Sequence, residues 1–297
     1  MEELFNKCNI CPRECNVNRN NGEVGYCGAS NKIKIGGYHL HMWEEPIITG
    51  KKGSGTIFFS YCNLRCIYCQ NYDISINNNG EEISIERFSD ICLLLQEMGA
   101  ENINLVTPSH YIPLIREGLI MAKRKGLIIP IVYNTSGYEK VSSLKLLDGL
   151  VDIYLPDFKY YDKELNKYSN VNNYFEITRE ALKEMYRQVG KPVIKKGIMK
   201  RGVIVRHLVL PSHIDDSKRV IKYLFNNYGN NIYLSIMNQY TPVRRCKYLE
   251  LNNRVSEEKY DELIDYAYDL GVRNCFVQDK ESQEESFIPV FKGDSVI

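Results

Sequence analysis

The chain has 297 residues, 44% of them hydrophobic, enough to bury a full core, so disorder is not the default reading and one large α/β domain or two smaller ones are allowed. Lys and Arg number 38 against 37 Asp and Glu, a balance that argues against the long phosphate-tracking surface of a nucleic-acid binder. The opening MEELFNKCNI has neither a basic nor an apolar signal region, and no apolar run approaches the roughly 20 residues of a membrane span, so a soluble, unexported, cytoplasmic protein is expected.

Residues 1–50 are rich in Cys, Asn, Gly and His without a sustained period, which predicts a loop-dominated N-terminal module, with 51–297 as the second unit. The chain then alternates. Strand Thr56–Ser60 precedes a helix from Ile85 to Met98, with Ser84 as N-cap, Gly99 as stop and Ile85, Phe88, Cys92 and Leu95 on its apolar face. Five more units follow: Ile103–Val106 with helix Pro113–Lys125, Leu127–Tyr133 with Val141–Leu147, and Val151–Leu155 with Phe175–Val189. Val203–Leu210 with Ser217–Tyr228 and Ile232–Met237 with Ser256–Leu270 complete the set, and Cys275–Val277 adds a short strand. The basic stretch Lys191 to Arg201, with Lys195, Lys196 and Lys200, reads as a solvated connection. Apolar, β-branched strands each followed by a helix predict a parallel sheet covered by helices. Six units are fewer than a closed barrel needs, so the expected fold is a partial, open (β/α)6 barrel of TIM type, with an open doubly wound sheet as the alternative.

The polar residues that need explaining cluster at strand C-terminal ends, where parallel α/β folds place their chemistry. Cys62 follows the first strand, Thr107, Ser109 and His110 the second, Asn134 and Thr135 the third, Asp157 and Lys159 the fourth, and Asn238, Gln239 and Tyr240 the sixth. Arg206 and His207 lie within the fifth. Side chains alternate along a strand, so one of the two faces the barrel interior, and Arg206 is the expected one.

Seven of the ten cysteines fall within the first 69 residues, and in a reducing compartment they are free to ligate metal. Cys62, Cys66 and Cys69 lie within eight residues of one loop. Three thiolates on a four-iron cube leave one iron open for chemistry, whereas structural zinc asks for four ligands. Cys92, on a helix's apolar face, is a poor fourth. A zinc knuckle with a distant fourth ligand remains the alternative reading.

Cys62-x3-Cys66-x2-Cys69, with Tyr68 before the last cysteine, resembles the motif of the radical S-adenosylmethionine superfamily. The resemblance implies a 4Fe-4S cluster, S-adenosylmethionine bound to its open iron, and reductive cleavage to methionine and a 5′-deoxyadenosyl radical that abstracts hydrogen. Asn134-Thr135-Ser136-Gly137, Asp157-Phe158-Lys159 and Val205 to Pro211 are similar to stretches of pyruvate formate-lyase activating enzymes. The Cys-Pro-Arg-x-Cys stretch and Asn104 to His110 look like an uncharacterised branch of that family.

Where activating enzymes carry Gly-Gly-Glu, this chain has Pro108-Ser109-His110, so Ser109 and His110 are candidates to meet the cofactor's amino group, with a substrate role for His110 as the alternative. The family's acid after the third strand is here Asn134. The resemblance implies Asp157 and Thr135 near the cofactor carboxylate, with Lys159 or Arg206 pairing it. Tyr68, Thr107 and Gln239 complete the cofactor-binding set, and Tyr240 caps the mouth or packs beneath its loop. His39, His41, Glu44 and Glu45 are surface or substrate-facing. Cys8, Cys11, Cys15 and Cys27 form a second set whose four thiols suit a closed site holding zinc or a second cluster. Cys92 and Cys275 are expected to be packing residues, and Cys246 is isolated. The implied partners are a flavodoxin- or ferredoxin-type reductant and a glycyl radical enzyme or other protein substrate, with no membrane and no nucleic acid. Modification of a small molecule, peptide or RNA and a non-catalytic metal scaffold are the competing functions.

Overall fold

The structure, a computed structural model, describes residues 3–242 and 244–278. After the short helix α1 (Glu3–Asn6), strand β1 (Ile33–His41) leads to α2 (Pro46–Thr49), begun by Pro46, whose missing N–H would be unpaired there in any case. Then come β2 (Ser54–Phe59), α3 (Tyr72–Ser75), β3 (Glu81–Ile83), α4 (Ile85–Glu97), β4 (Ile103–Val106), α5 (Ile112–Arg124), β5 (Ile131–Thr135), α6 (Val141–Leu144) and β6 (Ile153–Pro156). The chain continues through α7 (Tyr174–Val189), β7 (Val193–Lys195), β8 (Ile198–Leu208), α8 (Ile214–Tyr228), β9 (Tyr233–Met237), α9 (Glu257–Leu270) and β10 (Cys275–Val277). Ser84 caps α4 and Ser256 caps α9, each hydroxyl accepting a backbone N–H from the first turn.

One sheet runs in the order β10-β9-β8-β6-β5-β4-β2-β1-β3. The strands from β10 through β2 are parallel, while β1 and β3 join antiparallel at the far edge. The two ends of that path do not meet. The six strands β2, β4, β5, β6, β8 and β9 are those the sequence predicts, and the open parallel sheet is the expected partial barrel.

Strand alternation makes two cores. Leu105, Tyr133, Val205 and Ile236 point outward into a core shared with α4, α5, α7, α8 and α9. Val132, Ile153, Leu155 and Ile204 point inward, where Ile48 of α2 packs against them. His41 pairs with Ser54 at the start of β2, so α2 sits at the strands' N-terminal end and plugs the barrel floor, its Ile48 carbonyl held by Asn102 at 2.8 Å. Phe5, Cys8, Ile10, Cys27 and Ala29 of the N-terminal segment bury into the outer core. Among the described residues no helix is long and apolar enough to cross a membrane.

Several boundaries differ from expectation. β5 begins at Ile131, not Leu127: the Leu127 N–H bonds back to Ala122 at the end of α5, and Ile128 is 86% exposed. The basic stretch is the β7–β8 hairpin, turning at Lys196 and Gly197, both in the left-handed region. All three β7 residues are exposed, which is why composition alone reads it as a connection. β1 escapes a pattern search because Gly36 and Gly37 interrupt it at a register shift between Ile35 and Gly37.

Candidate active site

The loop after β2 carries Cys62, Cys66 and Cys69 and is pinned from several sides. Tyr61 and Arg65 take left-handed backbone conformations, the Asn63 amide donates to Tyr138 O at 2.9 Å, and the Ile67 N–H donates to Tyr168 O at 2.9 Å. Each sulfur has a donor beside it. Leu64 N–H lies 3.4 Å from Cys62 Sγ, Ser169 Oγ 3.0 Å from Cys66 Sγ and Ser75 Oγ 3.3 Å from Cys69 Sγ. Tyr160 OH contacts Ser169 Oγ at 2.9 Å and Tyr68 OH at 2.5 Å, and the Tyr68 ring meets Tyr240 edge-on.

Burial pushes the Cys62 thiol up to about 12, so these sulfurs carry protons until a metal displaces them. Among the described residues no three donor side chains converge as ligands of one ion would. The ligands of a cube bind separate irons and need no such convergence. Two buried thiols and one half-buried one, with hydroxyl and N–H donors at their sulfurs, fit an iron-sulfur cluster.

Beside the loop, Lys159 Nζ sits 2.5 Å from Asp157 Oδ2. Burial works against the Lys159 charge, but the Asp157 carboxylate beside it outweighs that and holds the amine well above its usual range. Gly137 explains part of its motif: a Cβ there would lie 2.2 Å from the Asp157 carbonyl. Thr107, left-handed at φ 59°, donates its N–H to Asn134 O at 2.8 Å, and Gln70 Nε2 donates to Gln239 O at 3.1 Å. The structure thus brings Cys62, Cys66, Cys69, Tyr68, Asp157, Lys159, Gln239 and Tyr240 around one mouth.

Inside the barrel, Arg206 Nε meets Glu45 Oε1 at 2.9 Å and its Nη2 pairs with Glu44, which also accepts from Asn104 Nδ2 at 2.8 Å. Desolvation lowers Arg206 to about 10 and pushes the Glu45 carboxyl up. His39 and His41 are half-buried, His39 stacked on Phe58 at 5.3 Å. Desolvation lowers His41 to about 4, so it is neutral. His207 faces outward, bonded to Phe158 O and Ser217 Oγ, each at 2.8 Å. Sequence reading left Glu44 and Glu45 without a partner. Their signal was Arg206 itself, since a guanidinium amid apolar strand residues demands an anion.

Three candidates face elsewhere. Ser109 and Thr135 both donate to Glu139, whose Oε1 also accepts from Tyr133 OH at 3.3 Å. Burial raises the Glu139 carboxyl to about 7 and leaves its Oε2 without a partner. His110 places Nε2 2.8 Å from Ser60 O, and burial lowers it to about 3. Nothing in the sequence pattern marks Glu139, which gathers two of the expected cofactor ligands on the outer side of the sheet.

The Radical SAM superfamily profile matches residues 56–224, from β2 into α8. The chain belongs to the radical SAM superfamily. Two uncharacterized proteins of Methanocaldococcus jannaschii align with it. One is 31% identical over 283 residues, covering 90% of this chain and 75% of that protein; the other is 25% identical over 248 residues, covering 75% and 67%. Among solved structures, a radical SAM methyltransferase from Sphaerobacter thermophilus superposes with TM-score 0.53 at 15% identity, covering 76% of this chain and 66% of that one. Streptococcus suis SuiB bound to S-adenosylmethionine gives 0.54 at 13%, covering 73% and 48%. Both likenesses show the shared fold, and this chain spans just under two thirds of the first structure and about half of the second. Membership brings a 4Fe-4S cluster and S-adenosylmethionine as cofactors.

This radical SAM enzyme has a second cysteine-rich place. Cys8, Cys11, Cys15 and Cys27 line one pocket together with Arg13, Arg19 and His110. The Tyr26 N–H points at Cys15 Sγ at 3.3 Å and the Ala29 N–H at Cys27 Sγ at 3.5 Å. Gly25 is required there, because a Cβ would come within 2.9 Å of Cys15 Sγ.

Proposed function

We propose that Cys62, Cys66 and Cys69 hold the 4Fe-4S cluster and that the enzyme cleaves S-adenosylmethionine over the barrel mouth to abstract hydrogen from a polypeptide substrate. The observation that carries the reading is the placement of three thiols, two buried and one half-buried, on one loop at the strand C-terminal ends, directly beside the Asp157–Lys159 pair. When reduced, the cluster supplies the electron that breaks the sulfur to C5′ bond. Lys159 offers a fixed cation for the methionine carboxylate, its position set by Asp157 and by Tyr174 OH, which accepts its backbone N–H. Tyr68, Thr107, Asn134 and Gln239 flank the cofactor. Tyr240 and the barrel wall exclude water, which protects a carbon radical from side reactions. Arg206, engaged by Glu44 and Glu45, lies beneath and shapes the substrate room with His39 and His41.

An unclosed sheet admits a chain segment to the mouth, which supports a protein or peptide substrate, and a glycyl radical enzyme is the leading candidate. SuiB bound to its precursor peptide SuiA shares the fold, with TM-score 0.51 at 14% identity. A flavodoxin- or ferredoxin-type protein is the proposed reductant. The four N-terminal thiols are read as ligands of a second, closed site for zinc or another cluster.

The test is electron paramagnetic resonance of the anaerobically reconstituted, reduced protein. A 4Fe-4S signal that changes on adding S-adenosylmethionine, with release of 5′-deoxyadenosine, is expected. Cys66→Ala removes the signal and Cys92→Ala keeps it. A spectrum indifferent to saturating cofactor, with no 5′-deoxyadenosine, makes the protein a metal scaffold instead.

A further inference from the structure

Arg19 is only 1% exposed. Its Nε donates to Ser30 O at 2.9 Å, its Nη1 donates to His110 O at 2.8 Å, and the same Nη1 lies 3.9 Å from Cys8 Sγ. Among the described residues no carboxylate pairs with it, and none pairs with Arg13, whose guanidinium stacks on Tyr26 at 3.7 Å. A buried guanidinium without a counter-charge is costly. The pocket they line holds four thiols and Glu14, and the Glu14 carboxylate is taken by Lys140 at 2.5 Å. His110 Nδ1, fully buried at the same pocket, also lacks a partner.

Four thiolates around an oxidised four-iron cube make a centre of about −2 charge, and around a zinc ion they make the same charge once the sulfurs draw together, since among the described residues no three donors converge on one point. Two arginines balance it. Neutral thiols leave both unanswered.

The pocket is also tied to the radical loop. Arg13 sits between Cys11 and Cys15, and its Nε donates to Asn63 O at 2.8 Å. Tyr26 OH, one residue before Cys27, donates to Leu64 O at 3.2 Å, and Arg65 Nη1 donates back to Tyr26 O at 3.2 Å. Asn63, Leu64 and Arg65 are the residues between Cys62 and Cys66. Among the described residues these ties run through Tyr26, next to Cys27, and Arg13, two residues from both Cys11 and Cys15.

We propose that Cys8, Cys11, Cys15 and Cys27 bind a soft metal centre as a dianionic tetrathiolate, that Arg13 and Arg19 are its counterions, and that its loading locks the Cys62–Cys66 loop through Arg13 and Tyr26. This rests on the closed-site reading of the four thiols but adds their charge balance and their consequence. Arg13 and Tyr26 are positioning residues.

The experiment compares the full chain with Cys15→Ser and with Arg13→Ala, each reconstituted anaerobically with zinc alone or with ferrous iron and sulfide. Bound zinc, iron and sulfide are counted, and amide hydrogen exchange is followed over residues 61–70. Cys15→Ser is expected to lose the second centre's metal and exchange about tenfold faster at Leu64 to Ile67, as a loop that opens locally. Arg13→Ala is expected to keep most of that metal but exchange as fast as Cys15→Ser. Zinc-only or iron-and-sulfide loading identifies the centre, and either supports the proposal. An unchanged metal count in Cys15→Ser overturns the site itself. Lost metal with unchanged exchange preserves the site and overturns the coupling. Should Cys15→Ser fail to fold, Arg13→Ala and Tyr26→Phe decide the coupling alone, and slow exchange in both overturns it.

Discussion

Arg206 and Arg19 are both withdrawn from water, and they are answered in different ways. Arg206, inside the barrel, faces Glu44 and Glu45, and its charge is neutralised by carboxylates from the segment before β2. Arg19, under the N-terminal segment, faces carbonyls and a sulfur. The first pair is complete in the protein alone. The second is complete only when the sulfurs are ionised, and metal binding is what ionises buried thiols at neutral pH. A buried cation therefore asks for an anion: Arg206 has two in the protein alone, and Arg19 would find its own in the proposed metal-bound thiolates.

The largest effect should come from breaking the complete pair. Arg206→Ala strands two carboxylates in a desolvated interior and is expected to cost about 3–5 kcal/mol in unfolding free energy. Arg206→Met together with Glu44→Gln and Glu45→Gln should recover much of that loss. If Arg206→Ala unfolds like the parent in urea, the two arginines do not differ as described.

Next comes Glu139, the buried acid nearest the cysteine pocket. Its folded value of about 7 lies above the ordinary 4.5, with burial as the leading cause. Between those values the folded chain keeps a proton that the unfolded chain has released, so stability falls as pH rises through that window. The full loss is about 3 kcal/mol, and Glu139→Gln should flatten it. A slope of opposite sign would mean that Glu139 is ionised and serves as the missing counterion of Arg13 and Arg19.

Arg19→Met tests the incomplete pair directly. With thiolates in the pocket, the variant should bind the second metal about tenfold more weakly, the loss of roughly 1.5 kcal/mol of charge-assisted contact. With neutral thiols it should leave metal content unchanged and stabilise the metal-free chain, because a stranded cation has gone.

The smallest effect concerns the mouth, where hydroxyls take the place of guanidinium. Once Cys66 is a thiolate it can only accept, so Ser169 donates to it, Tyr160 donates to Ser169 and Tyr68 donates to Tyr160. Donors to sulfur favour the reduced cluster. Ser169→Ala should lower the midpoint potential by about 40 mV, the equivalent of about 1 kcal/mol for one electron. An unchanged potential in a redox titration would remove that chain from the account.

Much of this was legible in the sequence because it is local. Strand and helix periods predicted the six-unit open barrel, and the spacing of Cys62, Cys66 and Cys69 carried the family. Strand alternation required that one of Arg206 and His207 face the interior, and Arg206, the expected one, does. Long-range pairings were not legible. Arg206 meets Glu45 across 161 positions and Arg13 meets Asn63 across 50, and no local pattern encodes such a partner. Ser109 and Thr135 looked like cofactor ligands because both follow strand ends, yet Thr135 lies on the outward face of its strand, and Glu139 takes both hydroxyls. The sequence by itself determined the elements, their order and the thiols of the reactive loop, since propensity, period and spacing act over a few residues. Only the tertiary structure decided which buried charges are answered and by what, because desolvation and ion pairing depend on what the fold brings within a few ångströms.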